Sequence, residues 1–73
     1  MGGDLRYLRK KKHLTQIQIQ YMTGIDQSDY SKIERGIRYP TVEQAKRLAI
    51  ALDTSMDYIF GLTDIEDPYP RKG

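Results

Sequence analysis

Helix breakers divide this chain into short, nearly even segments: Gly2-Gly3, Gly24, Gly36, Pro40, Gly61, Pro68 and Pro70. Between them apolar residues recur at helical spacing, and no stretch of β-branched alternation competes. The 73 residues allow one domain with a small core. Chains of that size often rely on a disulfide, a metal, a partner or very regular helix packing. With no Cys and one His, neither a disulfide framework nor a structural metal site is expected. The expected fold is therefore all-α: five short helices packed regularly over residues 1–62, with a flexible tail over 63–73 and dimerisation as a further aid.

The first helix is expected from about Asp4 to Lys12, with Leu5 and Leu8 on one face and Arg9 about 40° from Leu5. Thr15-x-x-Gln18 reads as a capping box that opens a second helix, which stops at Gly24. Asp26 is a good N-cap for a third, ending at Gly36. Thr41-x-x-Gln44, after Pro40, opens the clearest helix, whose Val42, Ala45, Leu48, Ala49 and Leu52 form one stripe. A short fifth begins near Ser55 and carries Met56, Ile59 and Phe60. The tail, with three acids and two prolines, reads as solvated.

The net charge of +2 is uneven. Residues 1–38 hold eight Lys/Arg against four Asp/Glu, or +4; residues 39–73 hold four against six, or −2. An anionic partner is expected on the first half. No apolar run approaches the roughly 18 residues of a membrane span, so a soluble, cytoplasmic protein is expected. Enzyme chemistry is not expected either. There is no Gly-rich phosphate loop, no paired Cys/His set, and no Ser-His-Asp arrangement that so short a chain can place in a cleft. No metal or cofactor is implied. His13, at the end of the first helix, suits a helix C-terminus rather than a metal site.

The informative unit is the second helix, the turn Gly24-Ile25-Asp26 and the third helix. Two helices so short and so tightly joined must cross steeply. On a wheel counted from Gln27, Ile33 and Tyr30 fall at about 240° and 300°, whereas Gln27, Ser28, Ser31, Lys32 and Arg35 spread between about 0° and 140°. That outer face holds amides, hydroxyls and cations and no carboxylate; Asp29 is turned away. Gln can bond adenine N6 and N7, Ser adapts to several base edges, and Lys or Arg reaches guanine O6 and N7. A polar outer face is also what solvent alone selects on a surface helix. The tight two-helix unit and the basic flanks favour the nucleic-acid reading.

The ordered series Leu14-Thr15-Gln16, Gly24-Ile25-Asp26-Gln27-Ser28, Ser31-Lys32-Ile33-Glu34-Arg35-Gly36 and Ile37-Arg38-Tyr39-Pro40-Thr41 resembles the lambda-repressor-like helix-turn-helix family of XRE/Cro-type transcriptional regulators. The resemblance covers roughly residues 4–62. It implies a sequence-specific double-stranded DNA-binding regulator, a repressor by type, with the third helix in the major groove and the second across the backbone. By position, Gln27, Ser28, Ser31 and Lys32 match base-reading residues. Gln16 matches a Gln that bonds a phosphate and buttresses the first recognition residue. Arg38 and Tyr39 match a segment that grips the backbone; Arg35 and Lys10 are further phosphate candidates, with Lys12 adding general attraction. Arg9 and Glu34 match an interior ion pair. The resemblance also implies a homodimer on a palindromic operator, with Tyr58, Phe60 and Leu62 as dimer candidates.

Three departures from the family pattern stand out. Position 20, commonly small because two helices come close there, is Gln20. Position 23, often apolar, is Thr23. Ile17 and Tyr21 sit one turn apart on a face that is normally polar, which makes them a candidate surface for a protein partner. The alternative function is accordingly a protein-interaction module on the same fold, an antitoxin or phage-type modulator. A second alternative is the DNA-binding piece of a longer regulator, its tail the start of a linker.

Overall fold

The computed structural model describes residues 3–68. Gly2, Pro70 and the part of the expected tail beyond Pro68 lie outside the described residues. Five helices follow in order: α1 (Leu5–Lys11), α2 (Gln16–Thr23), α3 (Gln27–Glu34), α4 (Val42–Ala51) and α5 (Met56–Ile59), with no strand among the described residues.

Every helix opens on a side-chain cap that takes up an otherwise unpaired N–H. Asp4 accepts from Tyr7 N, Asp26 from Ser28 N and Ser55 from Tyr58 N. Thr15/Gln18 and Thr41/Gln44 each form both hydrogen bonds of a capping box. At the C-terminal ends, Gly24, Gly36 and Gly61 turn the chain with φ of +76°. His13 and Asp53 do the same without glycine, at φ of +58° and +54°. Each is followed by a bond back to the helix it closes, Leu14 N to Arg9 O at 3.1 Å and Thr54 N to Ala49 O at 2.9 Å, which offsets the strain of the left-handed residue.

The core collects Leu5 and Leu8 of α1, Ile19 of α2, Tyr30 and Ile33 of α3, Ala45 and Leu48 of α4, and Ile25, Leu52, Tyr58 and Ile59. α2 packs on both α3 and α4, and α4 on α5, so α4 joins the two-helix unit, through α2, to α5. The expected stripe on α4 is shorter than the sequence suggests. Val42 is exposed, because as the first helical residue it projects past the point where other helices cover that face. Tyr58 also differs from its expected role. It is only 8% exposed, and its hydroxyl accepts from Asp4 N at 3.4 Å, so little of it is offered to a second subunit. Gly3 N–H donates to Ile59 O at 3.2 Å, and a Cβ at Gly3 would overlap the Tyr58 carbonyl. Glycine is thus required where the start of the chain closes over α5.

The acids after Thr63 are not all solvated. Glu66 pairs with Lys11, and its carbonyl accepts from the buried Thr54 hydroxyl at 2.6 Å. That bond satisfies a polar group which would otherwise be costly to bury.

Candidate nucleic-acid interface

The turn between α2 and α3 is built from three residues, Gly24, Ile25 and Asp26, and each has a local reason to be there. Gly24 takes the left-handed conformation that ends α2. Ile25 is buried and anchors the turn in the core. Asp26 caps α3. Thr23, which looks too polar for a buried position, donates its hydroxyl to Ile19 O at 2.7 Å and accepts from Ile25 N at 3.1 Å. Its polar group is therefore satisfied within the turn itself. Arg47 of α4 donates to Thr23 O at 3.2 Å and clamps the turn from outside. Nothing local in the sequence marks Arg47 for this contact, since its partner is 24 residues away.

A chain of side-chain hydrogen bonds runs from α1 to the start of α3. Arg9 Nε donates to Glu34 Oε2 at 2.8 Å and Arg9 Nη2 to Glu34 Oε1 at 3.0 Å, a two-point pair whose side chains are 12% and 5% exposed. Arg9 Nη1 donates to Leu14 O at 2.8 Å, which fixes the loop before α2. Gln16 Nε2 donates to Glu34 Oε1 at 3.2 Å. Gln27 Nε2 then donates to Gln16 Oε1 at 3.0 Å. Burial alone would raise the Glu34 pKa, but the hydrogen bonds and charge of Arg9, with help from the Tyr30 hydroxyl and from Gln16, hold it below the ordinary carboxylate value. The Tyr30 hydroxyl is buried against the Arg9–Glu34 pair without a well-formed hydrogen bond, and burial, with the neighbouring Glu34 carboxylate, pushes its pKa well above the usual phenol value.

On α3 the division seen on the wheel holds: Tyr30 and Ile33 are buried, Ser28, Lys32 and Arg35 are exposed, and Gln27 and Ser31 are half-buried at the margin. Arg35 Nε bonds its own helix at Ser31 O, 3.3 Å away. Asp29 is half-buried and meets Arg38 Nη1 at 3.2 Å, while Arg38 Nη2 donates to Gln44 at 3.0 Å. The loop guanidinium is therefore held in place by α3 and α4 and remains partly open to solvent, beside an exposed Tyr39. Lys10 is exposed on α1. Ile17 is half-exposed and Tyr21 is 79% exposed, with Met22 also open, so α2 carries an uncovered apolar strip. Among the described residues no group of His, Cys, Asp or Glu is placed to hold a metal ion, and no helix is long and apolar enough to cross a membrane.

The unit of short α2, three-residue turn and α3 lies within the region that a family comparison selects. A helix-turn-helix family model matches residues 5–59, which takes in all five helices. An uncharacterized HTH-type transcriptional regulator of Bacillus subtilis, YobD, is 42% identical over 64 residues. That match covers 88% of this chain and 57% of YobD. An uncharacterized HTH-type transcriptional regulator of Sinorhizobium fredii, y4dJ, is 38% identical over 69 residues, covering 94% of this chain and 88% of y4dJ. The chain thus spans little more than half of the first relative and most of the second. No solved structure matches it significantly. Five helices, a capped two-helix unit at residues 16–34 and these two relatives lead to one conclusion: the chain belongs to the lambda-repressor-like helix-turn-helix family.

Proposed function

We propose that this protein is a sequence-specific double-stranded DNA-binding transcriptional regulator, acting as a repressor by occupying an operator. In this reading α3 enters the major groove and α2 crosses the backbone. Gln27, Ser28, Ser31 and Lys32 read base edges, and Gln16, Arg35, Arg38, Tyr39 and Lys10 contact phosphates. The observation that carries the reading is the tethered Gln27: its amide is held by Gln16 at the head of an outer face free of acids. A side chain held in place before binding loses less conformational freedom on contact with a base. One domain covers about half of a typical site, so a homodimer on a palindrome follows, half-sites about one helical turn apart. With Tyr58 buried, Leu62, 75% exposed, and the half-buried Phe60 remain as dimer candidates.

Selection of random duplex DNA on the purified protein tests the reading directly, and enrichment of a palindromic sequence is the expected result. Against that sequence, Gln27→Ala should cost about 1–3 kcal/mol and relax preference at one base. Arg38→Ala should weaken binding to all sequences alike and reduce the salt slope by about one. Unchanged binding of Gln27→Ala to both operator and random DNA would refute the recognition assignment.

The strip formed by Ile17 and Tyr21 favours a second reading, in which the fold acts by gripping a protein. Retention on heparin or DNA separates the two. A DNA reader elutes with a log–log salt slope of several units, whereas a protein-binding module does not.

A further inference from the structure

The first backbone N–H groups of any helix lack partners within it. At the start of α3 two of them are taken by side chains of different origin. Ser28 N donates to the local cap Asp26 Oδ2 at 3.0 Å. Gln27 N donates to Gln20 Oε1 at 2.7 Å, the side chain reaching over from the last turn of α2. Gln27 is thereby held at two points: its main chain by Gln20 and its side chain by Gln16. A small residue at position 20 has no atom able to reach that N–H. The half-buried setting of Gln20 shields the bond in part from water.

We infer that Gln20 is a positioning residue for base reading: its amide oxygen fixes the first residue of α3 against α2 and so sets where the Gln27 amide meets a base edge. The inference rests on the DNA-reading function proposed above. Gln20 touches no base in this account; it acts through Gln27. Its effect is on selectivity, because a shift of the helix start displaces the planar Gln27 amide, whose paired donor and acceptor must both line up with a base edge in direction as well as distance.

The test compares Gln20→Ala and Gln20→Glu with the wild type on the duplex selected from random DNA and on the same duplex altered at the base that Gln27 discriminates. Gln20→Ala introduces the best helix former, so α2 is retained, as circular dichroism will show. In the free protein, amide exchange at Gln27 should accelerate in Gln20→Ala and stay slow in Gln20→Glu, which keeps an acceptor at the same reach. The affinity ratio between the two duplexes should fall about tenfold in Gln20→Ala. It should stay close to wild type in Gln20→Glu, even though the added negative charge weakens binding to all DNA. A ratio that survives Gln20→Ala overturns the inference alone, as does a ratio lost equally in both variants. A wild-type protein with no sequence preference overturns the DNA reading, and the inference with it.

Discussion

Glu34→Ala is expected to destabilise the domain by about 3–5 kcal/mol, and the same substitution in an Arg9→Met background is expected to cost clearly less. The reason is the guanidinium left behind. Arg9 is 12% exposed, and apart from Glu34 its only bonded acceptor among the described residues is the Leu14 carbonyl. Losing the carboxylate strands a positive charge where water cannot reach it well. Replacing Arg9 first by an apolar side chain of similar length removes that penalty. Urea unfolding of the four proteins in the cycle measures the coupling, and equal losses in both backgrounds would eliminate it. Acid titration gives a second measure. Glu34 has a folded pKa below its ordinary value of 4.5, so the unfolded chain binds the proton more readily. Its contribution is therefore complete above that value and is lost as pH falls through the folded one. Glu34→Gln should flatten that part of the acid limb.

Leu48→Ala is expected to cost about 2–5 kcal/mol, whereas Ile50→Ala, two residues on, should stay within about 0.5 kcal/mol. Leu48 is fully buried on α4, the helix that supports both α2 and α5, whereas Ile50 is 83% exposed. A domain of this size has a total stability of only about 4–11 kcal/mol at the usual value per residue. Leu48→Ala alone therefore consumes a large part of it. Each kcal/mol lowers the melting temperature by about 4–8 °C for a domain this small. Thermal unfolding followed by circular dichroism checks both substitutions. A loss at Ile50 matching that at Leu48 would contradict the assignment of α4's buried face.

The contrast between these neighbours was legible from spacing, as were the helix starts, because caps and apolar periodicity are local. Thr15/Gln18 and Thr41/Gln44 announce their helices within four residues, and the three-residue turn falls where Gly24 and Asp26 place it. What spacing does not carry is any bond made across the fold. Gln20 and Thr23 look like misfits beside the family pattern, yet one caps α3 and the other satisfies itself inside the turn. Arg47 gave no local signal at all. Tyr58 shows the same limit: the family resemblance implies a dimer candidate there, and its burial beneath Gly3 comes only from the folded path that brings residues 3 and 58 together. The left-handed turns at His13 and Asp53 were invisible for a related reason, since glycine is the residue that normally marks such positions.

The bonds joining Arg9, Glu34, Gln16 and Gln27 also have a direction. An ionised carboxylate can only accept, so Gln16 must turn its nitrogen inward to Glu34 and its oxygen outward. That oxygen in turn can only be met by the nitrogen of Gln27, which leaves the Gln27 oxygen and its second N–H outside this row of bonds. An amide on its own is nearly symmetrical and can flip end for end. Here a negative charge sealed in the interior removes the ambiguity two side chains away. The polarity of the outermost amide is thus written by the buried ion pair, and neutralising that single charge would let the two glutamine amides reverse together, while Arg9, which can only donate, keeps its direction.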